Sequence, residues 1–380
     1  MNVVGLFAGI GGIEEGLHQA GHHTSLMCEI DREAQAVLLT RFPNIPCVPD
    51  ITDLRSLPVS EIVAAGFPCQ DLSQAGRTAG ISGSKSGLVG EVFRLYRTAP
   101  KKPRWLVLEN VPFMLRLDRG VAMQFLTRNL EELGLTWAYR VVDTRAFGLP
   151  HRRLRVILVA SASDDPREVL FADDASESLP LERLGSACGF YWTEGTRGLG
   201  WAVDAVPTLK GGSTIGIASP PAIWMPDGEI VTPDIADAER LQGFPSGWTE
   251  PAQRHKTRVG MRWKLVGNAV SVPVARWLGS RLASPGSPVS RRDLPMEAST
   301  SWPMAAWGRA GKSWRVPVST WPVSDTYVQL ATFLRHPTVP LSRRAAAGFY
   351  GRATRSSLRF PHGFLDAVAE HIQKLDRAAA

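Results

Sequence analysis

Apolar and polar positions follow one rhythm through the first 160 residues and lose it afterwards. Asn2 to Phe7 is a short apolar run that predicts a strand. Phe7-Ala8-Gly9-Ile10-Gly11-Gly12 is a glycine-rich turn, and Ile13 to Ala20 has helical spacing with Gly21 as its stop. Thr24 to Cys28 predicts a second strand that ends at Glu29, and Val48 to Thr52 is a shorter extended piece containing Asp50. Ser60 to Ala65 predicts another strand, running into Gly66-Phe67-Pro68-Cys69-Gln70-Asp71-Leu72-Ser73. A polar, glycine-rich run from Ser73 to Gly90 reads as a long loop, and Leu88 to Thr98 as a helix. Arg104 to Leu108 is a buried-strand run delivering Glu109-Asn110-Val111, followed by an amphipathic helix from Gly120 to Leu133 and a strand from Trp137 to Asp143. Phe147 to Arg155 then leads into Val156 to Ala160. Repeated strand–helix units of this kind predict an α/β fold with a mostly parallel sheet.

After Ala160 the texture changes. Ser161 to Ile230 is polar, Gly/Trp-rich and poorly periodic, which predicts a small irregular or β domain. A helix is expected from Asp234 to Leu241, ending at Gln242-Gly243-Phe244-Pro245, and a capped helix from Ser271 to Leu282 returns to the first domain. Ser284 to Val289 reads as a linker. The tail carries Trp302, Trp307, Trp314 and Trp321 and two expected helices, Ser342 to Thr354 and Pro361 to Asp376. The expected division is therefore residues 1–160 with 236–284, then 161–235, then a basic, Trp-containing extension over 285–380.

Charge and cysteine usage narrow the classes. The chain has 380 residues, 43 Lys+Arg against 36 Asp+Glu, and a net charge of +7. From Pro285 onward there are 13 basic and 6 acidic residues, so the whole excess lies in the last quarter. That placement suits an acidic partner such as nucleic acid, and equally a solvated basic face. Cys28, Cys47, Cys69 and Cys188 are widely spaced without a C-x-x-C, which indicates neither a disulfide framework nor a zinc site. No apolar run is long enough to span a membrane and no signal peptide is evident, so a cytoplasmic protein is expected.

The candidate chemistry sits at strand ends, where open α/β sheets bind ligands. Strand, glycine turn and helix form a nucleotide-type binding unit, because glycines let a ligand approach the backbone and a helix N-terminus favours negative charge. Glu29, about 20 residues after the turn, suits a ribose hydroxyl pair, although in isolation it also reads as a solvated loop acid. Asp50 reads equally as a turn or capping acid, and Glu109 as a helix cap. Cys69 sits in a constrained Gly-aromatic-Pro-Cys turn, where a lone cysteine is otherwise most simply a small buried residue. Arg153 and Arg155 alternate around Leu154 and share one face of a strand, poised for phosphate or a base carbonyl or forming a basic sheet edge.

Together these pieces resemble the bacterial C5-cytosine DNA methyltransferase family, in order, over roughly residues 2–282. Phe7 to Gly12 resembles the family's cofactor motif, Gly66-Phe67-Pro68-Cys69-Gln70 its Pro-Cys motif and Glu109-Asn110-Val111 its Glu-Asn-Val. His151-x-Arg153-x-Arg155 is similar to its Gln-x-Arg-x-Arg, and Arg240 to Pro245 and Gly267-Asn268-Ala269-Val270 to its last two motifs. Two departures stand out. Gly5 occupies a position where the family usually has Asp or Ser, and His151 replaces the usual Gln.

The resemblance implies a Rossmann-like methyltransferase domain, a target-recognition domain over 161–235, and sequence-specific methylation of DNA at cytosine C5. Cys69 is then the nucleophile that adds to C6, Glu109 holds or protonates N3, Arg155 holds the carbonyl O2, and Arg153 serves the loop or a phosphate. It implies S-adenosylmethionine, without a metal, held by Phe7, Ala8, Gly9, Ile10, Gly11, Glu29, Ile30, Asp50, Ile51, Pro68, Leu88, Asn268 and Val270. The target cytosine must leave the duplex, with the Ser73–Gly90 loop expected to close behind it. Double-stranded DNA, a companion restriction endonuclease and a monomeric state follow from the same resemblance. Three rivals are a silent DNA-binding regulator, which the intact Cys69, Glu109 and Arg155 oppose, an RNA methyltransferase acting on tRNA, and a nicotinamide oxidoreductase, whose Gly-x-Gly-x-x-Gly pattern the turn lacks.

Overall fold

The computed structural model describes residues 1–67, 87–176, 185–211, 218–255, 260–289, 293–297 and 301–379. Pro68, Cys69 and most of the Ser73–Gly90 run lie outside the described residues. The chain divides into two units, one of residues 1–147, 154–178 and 269–325, the other of residues 148–153, 179–268 and 326–380.

The first unit is built on a ten-stranded sheet. Its strands are β1 (Asn2–Leu6), β2 (His23–Cys28), β3 (Cys47–Val48), β4 (Ile62–Ala65), β5 (Trp105–Asn110), β6 (Thr136–Asp143), β8 (Leu154–Ser161), β14 (Leu294–Pro295), β15 (Ala305–Arg309) and β16 (Lys312–Arg315). The second unit holds β7 (His151–Arg152), β9 (Cys188–Phe190), β10 (Trp201–Val203), β11 (Val206–Pro207), β12 (Ala222–Trp224), β13 (Ile230–Thr232) and β17 (Val339–Pro340). In the large sheet the order is β3-β2-β1-β4-β5-β8-β6-β15-β16-β14. β3, β2, β1, β4 and β5 run parallel, and β8 is antiparallel to both β5 and β6. The central strands are buried along their whole length, which is why they read as unbroken apolar runs.

Two crossovers define the functional edge. From β1 the chain passes through α1 (Gly12–Gln19) to β2, on one side, whereas β4 pairs with β1 on the other. The strand order therefore reverses between β1 and β4, the position at which open α/β sheets bind ligands outside their carboxyl ends. α1 packs closely on the Val272–Ala283 helix: a Cβ on Gly16 would lie 2.4 Å from Ala275 Cβ and 2.5 Å from Val272 O. The Ser271–Leu282 helix thus returns to the first unit as its sequence pattern predicts.

The segment after residue 285 is shared between the units. Its first part extends the sheet, because β15 pairs with β6 and carries β16 and β14 outward. Trp302 packs beside Trp137 and Tyr139, with ring centroids 5.9 and 6.2 Å away, and its Nε1 donates to Gly120 O at 3.1 Å. The fully buried Arg140 binds Ser319 O at 2.9 Å and the Asp174 carboxylate at 2.9 Å, tying this part to the unit.

The second part completes the other unit. That unit contains a five-stranded sheet of order β10-β9-β12-β13-β17, so β17 from the tail is an edge strand on β13. Successive side chains point to opposite faces. Ile223 and Val231 face a core with Val206, Leu241, Trp263 and Val266, whereas Ala222 and Ile230 face Phe190, Phe349 and Phe364. The helices Arg343–Ala353 and Phe364–Ala379 cover this second face. The sequence pattern placed 285–380 as one extension and 161–235 as a separate domain. The contacts group 326–380 with 179–268, because the tail helices pack on an apolar face of the short strands after residue 185.

Candidate active site

Four expected site positions of the first unit, together with Gly66 of the turn before Cys69, follow the ends of five adjacent parallel strands. Phe7 follows β1, Glu29 follows β2, Asp50 follows β3, Gly66 follows β4, and Glu109 lies near the end of β5. The parallel arrangement alone puts all of them on one edge of the sheet.

The β1 turn is shaped for close approach. Gly9 and Gly11 have φ of +57° and +85°, and Phe7 itself has φ of +56°. A left-handed backbone at a non-glycine residue costs energy and marks a turn held by its surroundings. Ala8 N donates to Cys28 O at 3.0 Å and Gly9 N donates to Glu29 Oε2 at 2.7 Å, so the first two strand ends are bonded together. Glu29 Oε1 accepts from Asp31 N at 2.7 Å, which fixes the carboxylate. Burial raises the Glu29 pKa, opposed by these backbone N–H groups. Ile30 beside it is 69% exposed, an apolar side chain offered to solvent. Asp50 Oδ1 accepts from Thr52 N at 2.9 Å and from Thr52 Oγ1 at 2.8 Å, and these bonds lower its pKa. Ile10, Gly11 and Ile51 are buried, whereas Ala8 and Leu88 are half-buried.

The β4 and β5 ends meet. A Cβ built on Gly66 would lie 3.5 Å from Glu109 Oε2 and 3.9 Å from Phe7 O. Asn110 Nδ2 donates to Phe67 O at 3.0 Å, pinning the chain two residues before Cys69. Arg155 enters from β8, the antiparallel neighbour of β5, and its Nε lies 2.9 Å from Glu109 Oε1. Both side chains are largely buried, so the pair is little screened by solvent. Among the described cysteines, burial pushes the Cys28 thiol up to about 12 and the Cys47 thiol up to about 11. Neither would supply a thiolate near neutral pH.

The remaining expected positions are divided. Val270 is buried in the first unit, whereas Asn268 belongs to the second and is exposed. Arg153 also belongs to the second unit, where it is fully buried and donates to Gly267 O at 3.1 Å. No helix among the described residues is long and apolar enough to cross a membrane, and no group of three or more potential metal ligands is found among them.

Several contacts have no signal in the sequence. The Glu14 carboxyl lies where a side chain on residue 5 would be: a Cβ on Gly5 would stand 2.0 Å from Glu14 Oε1. The absence of a side chain at Gly5 leaves the space that the buried Glu14 carboxyl fills. His151 Nε2 accepts from Leu209 N at 3.2 Å, and its Nδ1 lies 3.0 Å from Leu241 O. Glu239 is fully buried and accepts from Gly247 N at 2.6 Å, Thr249 N at 2.8 Å and Arg262 Nη2 at 2.8 Å. The Gln242 amide donates to Val266 O at 2.8 Å. The Arg240–Pro245 stretch therefore braces the second unit's interior.

Residues 1–184 match the family described as C-5 cytosine-specific DNA methylase. The chain is 51% identical to the Type II methyltransferase M2.BsuMI of Bacillus subtilis (strain 168) over 380 residues, 97% of each chain. The chain belongs to the C-5 cytosine-specific DNA methylase family. It is 28% identical to the Type II methyltransferase M.MspI of Moraxella sp over 301 residues, 74% of this chain and 70% of that one. The fold is shared with S. pombe Dnmt2 methyltransferase, at a TM-score of 0.55 and 16% identity, covering 74% of this chain and 98% of the other. The 97% match runs into the C-terminal segment, so this methylase shares its extension with M2.BsuMI.

Proposed function

We propose that this methylase is a sequence-specific DNA cytosine-5 methyltransferase of a restriction–modification system, with Cys69 as nucleophile and S-adenosylmethionine as methyl donor. The observation that carries the reading is the Glu109–Arg155 pair beside Gly66, three residues before Cys69. C5 of cytosine is a weak nucleophile until a thiolate adds to C6. Glu109 binds the ring at N3 and Arg155 at O2, so the negative charge that the thiolate brings to the ring is met by a hydrogen-bonded acid and a guanidinium. Arg155 also orients Glu109, since its guanidinium lies against that carboxylate. After C5 has been methylated, loss of its proton lets the C6–S bond break and returns Cys69.

The residues at the sheet edge fit S-adenosylmethionine. The positive-φ glycines at 9 and 11 leave the backbone open, and the Glu29 carboxylate is held rigidly enough to accept from two ribose hydroxyls. Exposed Ile30 offers an apolar surface to a flat ring, and Asp50 a carboxylate to its amino group. Phe7, Ala8, Ile10, Ile51, Pro68, Leu88 and Val270 complete the proposed lining. When bound, S-adenosylmethionine supplies the methyl group. The methylase acts as a cytoplasmic monomer on duplex DNA, beside an endonuclease of the same specificity. Residues 161–235 read the sequence, and Arg153 serves the active-site loop or a phosphate, as the resemblance implies.

Bisulfite sequencing of plasmid DNA from cells expressing wild type and Cys69→Ser tests this. One methylated motif in the wild type alone is expected. Absence of methylation from folded wild type that binds S-adenosylmethionine would overturn the DNA substrate, and tritiated methyl transfer to tRNA would then identify an RNA enzyme.

A further inference from the structure

Residues 326–380 hold 8 Lys/Arg and 3 Asp/Glu, a net +5 of the chain's +7. The Arg343–Ala353 helix packs Ala346, Phe349 and Ala353 into the core beneath it. At 3.6 residues per turn, the line directly opposite that face is Arg344, Gly348, Gly351 and Arg355. Arg344, Gly348 and Arg355 are exposed and Gly351 is half-buried. Arg355 Nε donates to Gly351 O at 2.7 Å, which continues the line past the last helical turn. Arg359 lies four residues further and is also exposed. Arg344 and Arg359 make no ion pair among the described residues, in contrast to Arg343, which pairs with Asp376 at 2.8 Å.

The two glycines are the informative part. Glycine in a helix interior is less stable than alanine, so its presence twice in an eleven-residue helix calls for a reason. Packing among the described residues supplies none. A Cβ on Gly348 would meet nothing nearer than Arg352 Nη1 at 3.5 Å, and one on Gly351 nothing nearer than Arg355 Nη2 at 3.9 Å. Alanine would fit at both. A helix thinned in the middle and flanked by arginines about 16 Å apart lets a phosphodiester backbone lie against its main chain with a guanidinium at either end.

We infer that the Arg344–Gly348–Gly351–Arg355 face, with Arg359, is a docking surface for the phosphate backbone of duplex DNA flanking the methylated site. The inference rests on duplex DNA being the substrate. The surface is carried on the sequence-reading unit: Arg352 donates to Trp192 O at 2.7 Å and to Glu194 O at 3.1 Å, and β17 pairs with β13. It adds affinity and register without reading bases. Deleting the tail is not a usable test, because Phe349 and Phe364 are core residues of the same unit.

The experiment measures binding of a 30-base-pair duplex by fluorescence anisotropy across a salt series, with the full-length protein. Each phosphate contact contributes about 0.9 to the slope of log K against log salt. The triple variant Arg344→Ala/Arg355→Ala/Arg359→Ala should lower the slope by about 2 to 3, while Arg343→Ala leaves it unchanged. Gly348→Ala/Gly351→Ala should raise the thermal midpoint yet weaken DNA binding several-fold. A wild-type slope in the triple variant, or a stabilised glycine variant with wild-type affinity, overturns the docking surface. Those results leave the methylase reading standing if wild type methylates the plasmid. Failure of the wild type to bind duplex DNA overturns both.

Discussion

Replacing His151 tests why a family position usually held by Gln can hold an imidazole. His151 is fully buried in β7, with Leu209 N donating to Nε2 and Leu241 O beside Nδ1. The Nε2 that accepts cannot carry a proton, so Nδ1 carries it and donates to Leu241 O. Leu241 caps the Ile235–Arg240 helix, and its carbonyl would otherwise be one of the orphans of a helix end. Neutral imidazole thus offers one donor and one acceptor on opposite sides, the same pair that a Gln amide offers through its NH2 and C=O. His151→Leu fills similar space but leaves a buried N–H and a buried C=O unpaired, at about 1–3 kcal/mol each. The expected loss is therefore about 2–6 kcal/mol, whereas His151→Gln should stay within about 1 kcal/mol of wild type. Urea unfolding of the three proteins, followed by tryptophan fluorescence, measures this. Equal loss in the Leu and Gln variants, or a Leu variant as stable as wild type, would refute the donor–acceptor argument.

Glu14 predicts a pH dependence. Burial pushes its carboxyl up to about 7, above the ordinary value of about 4.5 for a glutamate. A folded-state value above the unfolded one means that its contribution is intact below about pH 4.5 and is lost as pH rises through 7, up to about 3 kcal/mol. Glu14→Gln should consequently gain stability over wild type at pH 8 but not at pH 4.5, read by urea midpoints at the two pH values; equal differences would contradict it. At the active site, Glu109→Gln should lower kcat/KM by about 100-fold or more, with calorimetric binding of S-adenosylmethionine retained; a loss of cofactor binding instead would move Glu109 out of the proposed role. Gly16→Val should destabilise the first unit by about 1–3 kcal/mol or more, since its Cβ would meet Val272 O at 2.5 Å. A thermal midpoint unchanged from wild type would show that α1 can move away.

Much of this methylase is determined locally, and local determination is what a sequence displays. Apolar runs with turn residues between them place β1, β4 and β5, because buried parallel strands need unbroken apolar side chains. Residues at the ends of such strands converge on one edge without further information, which places Phe7, Glu29, Asp50 and Glu109 there, while their roles come from the resemblance to the family. Ser342 as a helix cap and the tail helices are equally local. Other features depend on partners far along the chain, which no spacing encodes. His151 meets Leu209 and Leu241 across 58 and 90 residues, and Arg140 meets Ser319 across 179. Gly5 looks like a weakened motif until the Glu14 carboxyl is seen in the space that a side chain there would fill. The tail looks like an appendage because its own composition is basic and aromatic. Only the tertiary structure shows that residues 285–325 lengthen one sheet while Phe349 and Phe364 close the core of another. A burial face is a property of two surfaces brought together, and the sequence displays each surface without saying which other it meets.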